Sequence, residues 1–285
     1  MRLLFCLIIG YLLVVEIAYL AQRRLLYFPD TTPPSSSPSL LGNGLSLFAW
    51  PTADTAAFRG YTRTFSEPQG PPKRGTIVVF HGNAGSAHDR TYYLKALESR
   101  GYRVVLAEYP GYGGRDGELS ETTWVTDSRK TVQQAWTEFG GPLWVWGESL
   151  GAAIAAAVAA DRSLPIVGVV LITPWNSLTE LAQSLYWYLP VRWFLHDHYD
   201  SYSYLQQYLG KVAVLIAAQD EIIPQRHSQA LYDGLRGPKR RWIFPDAGHN
   251  TWPVEANAPW WDEVIRWLEA APTGPNSAPI TVGST

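Results

Sequence analysis

The chain has 285 residues, of which 46% are hydrophobic and 17% charged, enough to bury one full-sized core of roughly 220 to 250 residues with ends to spare. A formal charge of −2 and 23 scattered lysines and arginines supply no basic field, so a nucleic-acid partner is not indicated. The single cysteine, Cys6, excludes an intrachain disulfide.

In chain order, the first predicted element is apolar. Leu3 to Ala21 carries Glu16 as its only charge, and about 19 such residues suffice for a helix to cross a bilayer core. The run is longer than the roughly 7 to 15 residues of a secretory signal, and Ala18-Tyr19-Leu20-Ala21 has the wrong spacing for cleavage. Residues 1–24 therefore read as an uncleaved, single-pass membrane anchor. Arg2 on one side and Arg23 and Arg24 on the other leave the side of the membrane open. A linker and domain lead-in follow over 25–56, with Pro29 to Gly44 rich in Pro, Ser and Gly and read as a spacer or a draped loop. The folded domain is expected over 57–271 and a flexible tail over 272–285.

Within the domain, strands are predicted at 76–80, 103–108, 143–146, 166–172, 212–217 and 240–244. Several are continuous Val/Ile/Leu runs, as strands covered on both faces require. Helical patterns fill the gaps at 86–99, 120–139, 150–161, 225–236 and 253–270. Alternation of this kind predicts an α/β fold, a mostly parallel sheet with helices on both faces, and sites at the carboxyl ends of its strands. The gap before 212 is too long for a crossover helix, and residues 174–210, with Trp175, Trp187 and Trp193, read as a small cap insertion.

The chemistry starts at Gly147-Glu148-Ser149-Leu150-Gly151, which follows a predicted strand and opens an Ala-rich helix. This is G-x-S-x-G in the strand–turn–helix setting of a nucleophile elbow. Side chains two before and two after the serine would collide in so tight a turn, hence glycines there. In such folds the acid and then the histidine follow the nucleophile. His249, in the loop after the last strand, is the one histidine placed as a base. His88 and His227 read as packed or solvated, and His196 and His198 around Asp197 lack a third spaced metal ligand. For the acid, Asp220 at the end of the 212–217 strand is favoured over its neighbour Glu221. His81-Gly82-Asn83-Ala84-Gly85 reads as the loop that supplies one oxyanion-hole N–H, from Asn83 or alternatively Ala84, with Leu150 supplying the other. Tyr109, Trp175 and Trp187 are expected to meet the substrate. No metal or cofactor is required.

HGNAG at 81–85, Glu108-Tyr109-Pro110-Gly111-Tyr112-Gly113, GESLG at 147–151, Asp220-Glu221-Ile222-Ile223-Pro224 and AGHN at 247–250 resemble the Bem46 and ABHD13-like branch of the α/β hydrolases, with a serine aminopeptidase S33-like hydrolase domain. The likeness covers roughly residues 60 to 270 and extends to the anchor followed by Leu26-Tyr27-Phe28-Pro29. Pro110 stands where the family more often has Arg, and Gly114-Arg115 replaces a commoner Lys-Ser or Arg-Ser. The resemblance implies the α/β-hydrolase fold and the triad Ser149, Asp220, His249. An ester, thioester or lipid-like acyl substrate is the first expectation. A serine aminopeptidase or amidase, with Glu108 or Glu148 holding the substrate amine, is the second, and a non-catalytic binding protein tethered to the membrane the third. Because every motif lies beyond the spacer, a chain starting near Thr31 is expected to be soluble and active.

Overall fold

A computed structural model describes residues 1–40, 46–63, 74–270 and 280–281. The last part of the spacer, and the tail apart from Ile280 and Thr281, lie outside them. Helix α1 spans Arg2–Leu26, past the predicted end of the apolar run. Among the described residues it is the one helix long and apolar enough to cross a membrane, and none of its most apolar stretch is buried. Short strands β1 (Phe28–Pro29) and β2 (Ser39–Leu40) precede β3 (Ser46–Trp50), β4 (Gly60–Thr62), β5 (Thr76–Phe80) and the two-residue β6 (Ala84–Gly85). A 3-10 turn at Ala87–Arg90 leads into α2 (Tyr92–Glu98), followed by β7 (Arg103–Ala107), α3 (Glu121–Phe139), β8 (Leu143–Glu148), α4 (Leu150–Ala159) and β9 (Ile166–Ile172). The cap contributes α5 (Leu178–Leu185), α6 (Val191–Phe194) and α7 (Ser201–Leu205). The chain returns through β10 (Lys211–Ala217), α8 (Gln225–Gly234), β11 (Lys239–Phe244), α9 (Pro259–Glu269) and β12 (Ile280–Thr281).

The main sheet runs β12-β11-β10-β9-β8-β5-β7-β4-β3-β2. From β12 to β7 all neighbours are parallel, and β4, β3 and β2 close that edge antiparallel. The parallel strands are buried on both faces because side chains alternate across them. On β10, Val212, Val214 and Ile216 join the core under α3, α4, α7 and α8, while Ala213, Leu215 and Ala217 join the core under α2 and α9. All ten residues of α4 are buried, which is why that helix is almost pure alanine and leucine-sized.

The structure is an α/β hydrolase in layer and strand order, with differences from the sequence reading at particular points. The edge strands β3 and β4 were not predicted, since Ser-Leu-Phe-Ala-Trp and Gly-Tyr-Thr lack the branched aliphatic run of the centre. The helix expected at 253–270 begins at Pro259, whose fixed φ suits the first helical position.

At the other end, Tyr27 leaves α1 with extended backbone, φ −109° and ψ 127°. It is 3% exposed, its hydroxyl donates to Asp197 Oδ2 at 3.1 Å, and it sits 2.9 Å from the Tyr199 hydroxyl. Phe28 and Pro29 then pair in parallel with Ala84 and Gly85.

Candidate active site

Strand β8 ends at Glu148 and α4 begins at Leu150, so Ser149 turns the chain between them. Its φ of 54° with ψ of −120° is a conformation that a residue with a Cβ adopts only where its surroundings force it. The flanking glycines show the force. A Cβ on Gly147 would lie 2.1 Å from the carbonyl oxygen of Gly151, and one on Gly151 would lie 2.2 Å from that of Phe80.

His249 follows β11 and Asp220 follows β10, and these strands are parallel neighbours. The structure brings the three side chains into line. His249 Nε2 is 3.0 Å from Ser149 Oγ, and His249 Nδ1 is 2.8 Å from Asp220 Oδ2. A carboxylate at Nδ1 holds the ring proton there and leaves the Nε2 lone pair facing the hydroxyl. The other Asp220 oxygen accepts the amides of Ile222 and Ile223 at 2.9 and 2.7 Å, which fixes the carboxylate. Glu221 has a different position: its Oε2 accepts the backbone N–H of His249 at 3.1 Å and so braces the histidine loop. The Asp220 and His249 side chains are 2% and 7% exposed, so the bond between them is shielded from water.

Asn83, Ala84 and Leu150 all line a cleft of about 750 Å³ over Ser149. Leu150 opens α4, where the first amides have no acceptor within the helix and the dipole favours developing negative charge. The Asn83 loop is tied from behind by the chain's N-terminal end. Its carbonyl accepts from Phe28 N at 2.9 Å and from the Tyr112 hydroxyl at 2.6 Å, and its side-chain amide donates to Leu26 O at 2.7 Å. Under the loop, buried His81 faces Glu108 at 2.8 Å, and Glu108 also accepts Ala87 N and Tyr109 N.

Of the three residues expected to meet the substrate, Trp175 lines the cleft. Tyr109 does not: it is 1% exposed, stacked on Trp124 at 4.0 Å, and donates to His81 O at 2.7 Å, so it braces the core behind the loop. Trp187 is 78% exposed and lies off the cleft lining. The Glu148 carboxylate does reach the cleft wall, where it is held by Arg90 and by the hydroxyls of Tyr92 and Tyr93 at 2.6 and 3.2 Å. Burial first, then the Glu148 charge for Tyr92 and the neighbouring Tyr92 and Glu148 for Tyr93, push both phenols upward, so they stay donors.

No group of three metal-ligating side chains exists among the described residues. Asp197, between His196 and His198, instead accepts from Arg23, Tyr27 and Glu121 N. His227 is buried against Ser184 and Asn176.

Two features of the cleft had no place in the sequence reading. One is the Arg90–Glu148–Tyr92 network, in which Glu148 lies 58 and 56 residues from its two partners. The other is a wall made by Leu25, Leu26 and Phe28; its only sequence signal is that the apolar pattern resumes after Arg23-Arg24, as Leu-Leu-Tyr-Phe, before the prolines begin.

Comparison with known proteins shows what the chain as a whole is similar to. A family model described as serine aminopeptidase, S33, matches residues 71–204. An uncharacterised protein of Mycobacterium tuberculosis is 34% identical over 243 residues, 83% of each chain. The lysophosphatidylserine lipase ABHD12 of Danio rerio is 28% identical over 67% of this chain and 56% of its own, so the chain spans little more than half of that lipase. Among solved structures, a Paleococcus ferrophilus monoacylglycerol lipase has 21% identity, a TM-score of 0.53, and covers 70% of this chain and 95% of its own. A Pyrococcus furiosus esterase has 15% identity, a TM-score of 0.58, and covers 85% and 96%. These two likenesses speak to the fold. With an elbow serine at the head of α4 and a relative matched over most of both lengths, the chain belongs to the α/β hydrolases of the Bem46/ABHD type and is a serine hydrolase.

Proposed function

We propose that the protein is a membrane-anchored esterase or thioesterase that works through an acyl-serine, with Ser149 as nucleophile, His249 as base and Asp220 as the orienting acid. The observation that carries this reading is the unbroken path Ser149 Oγ, His249 Nε2, His249 Nδ1, Asp220 Oδ2, at 3.0 and 2.8 Å. As Ser149 Oγ attacks the substrate carbonyl carbon, its proton passes to Nε2, and the imidazolium is stabilised by Asp220. Negative charge on the carbonyl oxygen is met by the amides of Leu150 and of Asn83 or Ala84. Collapse expels the alcohol or thiol, which takes the proton from Nε2. Water then repeats the sequence on the acyl-serine and frees the acid.

The amide reading needs a carboxylate free to hold a substrate amine. Glu108 is buried beneath the loop with its oxygens engaged, and Glu148 is engaged by Arg90 and two tyrosines. That favours an ester. The apolar wall of Leu25, Leu26, Trp175, Leu178 and Leu181 favours a medium or long acyl chain, in keeping with the lipases among its relatives. The length and apolarity of α1 support single-pass attachment to the membrane through residues 1–24.

The test is covalent labelling with a fluorophosphonate, followed by turnover of acyl esters and thioesters. Ser149→Ala should abolish labelling and lower kcat by about a millionfold, the scale for loss of a triad nucleophile, while the protein stays folded. Labelling that survives this substitution would refute the assignment.

A further inference from the structure

The cap does not simply sit over the cleft; its tip lies along α1. The Tyr11 hydroxyl donates to the carbonyl of Tyr188 at 2.8 Å. The Tyr19 ring packs edge-on against Phe194 and His196 at 6.3 and 4.7 Å. Gln22 donates to Phe194 O at 3.3 Å and accepts His196 N at 2.7 Å. From Tyr11 to Gln22 a helix rises about 16 Å, roughly half the hydrocarbon thickness of a bilayer. If α1 spans the membrane, the tip of the cap is immersed beside it.

The tip is built for that surrounding. Trp187 and Trp193 are 78% and 89% exposed, and Leu185, Tyr186 and Tyr188 are also outward, with Arg192 the sole charge from Leu185 to Leu195 and paired to Glu180. More telling is the backbone. Irregular chain in lipid must have its polar groups satisfied internally, and here side chains do so: Tyr11 serves Tyr188 O, Gln183 serves Leu189 O at 3.1 Å, and Gln22 serves both Phe194 O and His196 N.

Between α1 and the cap lies an apolar groove of about 150 Å³, lined on the side away from the cleft's own residues by Ala18, Leu189, Val191 and Phe194. It shares Leu25, Leu26, Leu178, Ala182 and Tyr186 with the cleft over Ser149, so the two lie against the same five side chains. We propose that this groove is a lateral entrance, through which the acyl chain of a bilayer lipid ester passes from the membrane interior to Ser149 while its polar end enters from the aqueous side. The inference rests on the anchored-hydrolase reading above and adds the route and the lipid-embedded source of the substrate.

Two measurements on the full chain in phosphatidylcholine vesicles test it. Ala18 lines the groove but not the cleft, so Ala18→Trp should block the entrance alone. The ratio of kcat/KM for vesicle-borne p-nitrophenyl palmitate to that for p-nitrophenyl acetate in the water should fall about tenfold or more, as a steric misfit in an apolar pocket discriminates. A ratio equal to that of the unsubstituted protein overturns the route, whatever happens to either rate alone. Separately, an environment-sensitive NBD probe is placed at Trp187→Cys or Trp193→Cys in a Cys6→Ser background. Blue-shifted emission, quenched by doxyl-labelled lipids, is expected at both positions and not at a probe on exposed Arg162. Emission typical of water at 187 and 193 overturns the immersed cap. This second measurement needs no turnover, so a failure of the ester chemistry and a failure of the membrane placement are read independently.

Discussion

The wall of the cleft formed by strand ends and the wall formed by α1 with the cap face each other across Ser149, and they are held by different physics. On the first, position follows from backbone geometry. Parallel neighbours β10 and β11 end side by side, and their next loops deliver Asp220 and His249 2.8 Å apart, while glycines at 147 and 151 admit no side chain. On the second, position follows from contacts between distant side chains. Tyr27 reaches Asp197 and Tyr199, and Asn83 reaches back to Leu26. On the function proposed above, the strand-end wall carries out acyl transfer. On the same proposal the α1–cap wall selects what is presented for transfer, while Leu26 and Phe28 also brace the Asn83 loop.

The sharpest way to probe the first wall is to separate the two adjacent acids. Asp220→Asn keeps the shape but favours the wrong imidazole tautomer, and kcat should fall by about four orders of magnitude. Glu221→Gln removes only a charged acceptor from the His249 amide and should cost about tenfold at most, since a hydrogen bond to a charged group contributes about 1.5 to 3 kcal/mol and a neutral amide oxygen keeps part of it. Pre-steady-state release of p-nitrophenol from a soluble ester measures both. Equal losses would mean that the carboxylates share the role.

The second wall is probed by removing it. A chain starting near Thr31 retains every motif, but the structure gives reason to expect impairment: it lacks Phe28, which with Pro29 pairs Ala84 and Gly85, and Leu26, the acceptor of the Asn83 side chain. A fall in kcat of about a hundredfold on a short soluble ester is expected, the scale for loss of one oxyanion donor. The smaller change Asn83→Ala, which breaks only the bond to Leu26, should cost about fivefold, or 1 kcal/mol. Full activity in the shortened chain would show that the strand ends hold the loop by themselves.

The same division explains what the sequence could disclose. The Val/Ile runs of β5 and β9 and the Gly-Glu-Ser-Leu-Gly turn report local requirements, and a local requirement is written into adjacent residues. Asp220 and His249 were legible because strand order in a parallel sheet ties position in sequence to position at the sheet's edge. The partners of the other wall are not so tied. Tyr27 and Asp197 stand 170 residues apart, and Arg90 and Glu148 stand 58 apart. Nothing in the spacing of either pair announces the other, and Tyr109, aromatic in a loop that resembles a pocket mouth, is drawn into the core by stacking on Trp124. Trp187 is a similar case: an aromatic side chain in a cap insertion reads as substrate contact until its direction is known, and here it is 78% exposed.

The smallest expected effect concerns the seam between the cap and α8. His227 lies there, its ring facing Ser184 Oγ of α5 at 2.9 Å and Asn176 at 3.0 Å, with Arg226 also bonded to Ser184. Burial, and then the Arg226 cation, lower its pKa from the usual 6.5, against a weaker pull from Glu180. A depressed value means the folded protein binds this proton less readily than the unfolded chain. Its contribution to docking of the cap is therefore complete above about pH 6.5 and is lost as pH falls through the folded value. Because α5 carries Leu178, Ala182 and Leu185 on the cleft wall, loosening it should affect a long acyl chain more than an acetyl group. Any effect of pH common to both esters cancels in the ratio of their kcat/KM values. That ratio, for p-nitrophenyl octanoate against acetate, should decline modestly as pH is lowered below 6.5 and should stay level in His227→Gln, whose amide does not titrate. A ratio independent of pH in the unsubstituted protein would show that the cap is held by its contacts with α1 and not by the seam at His227.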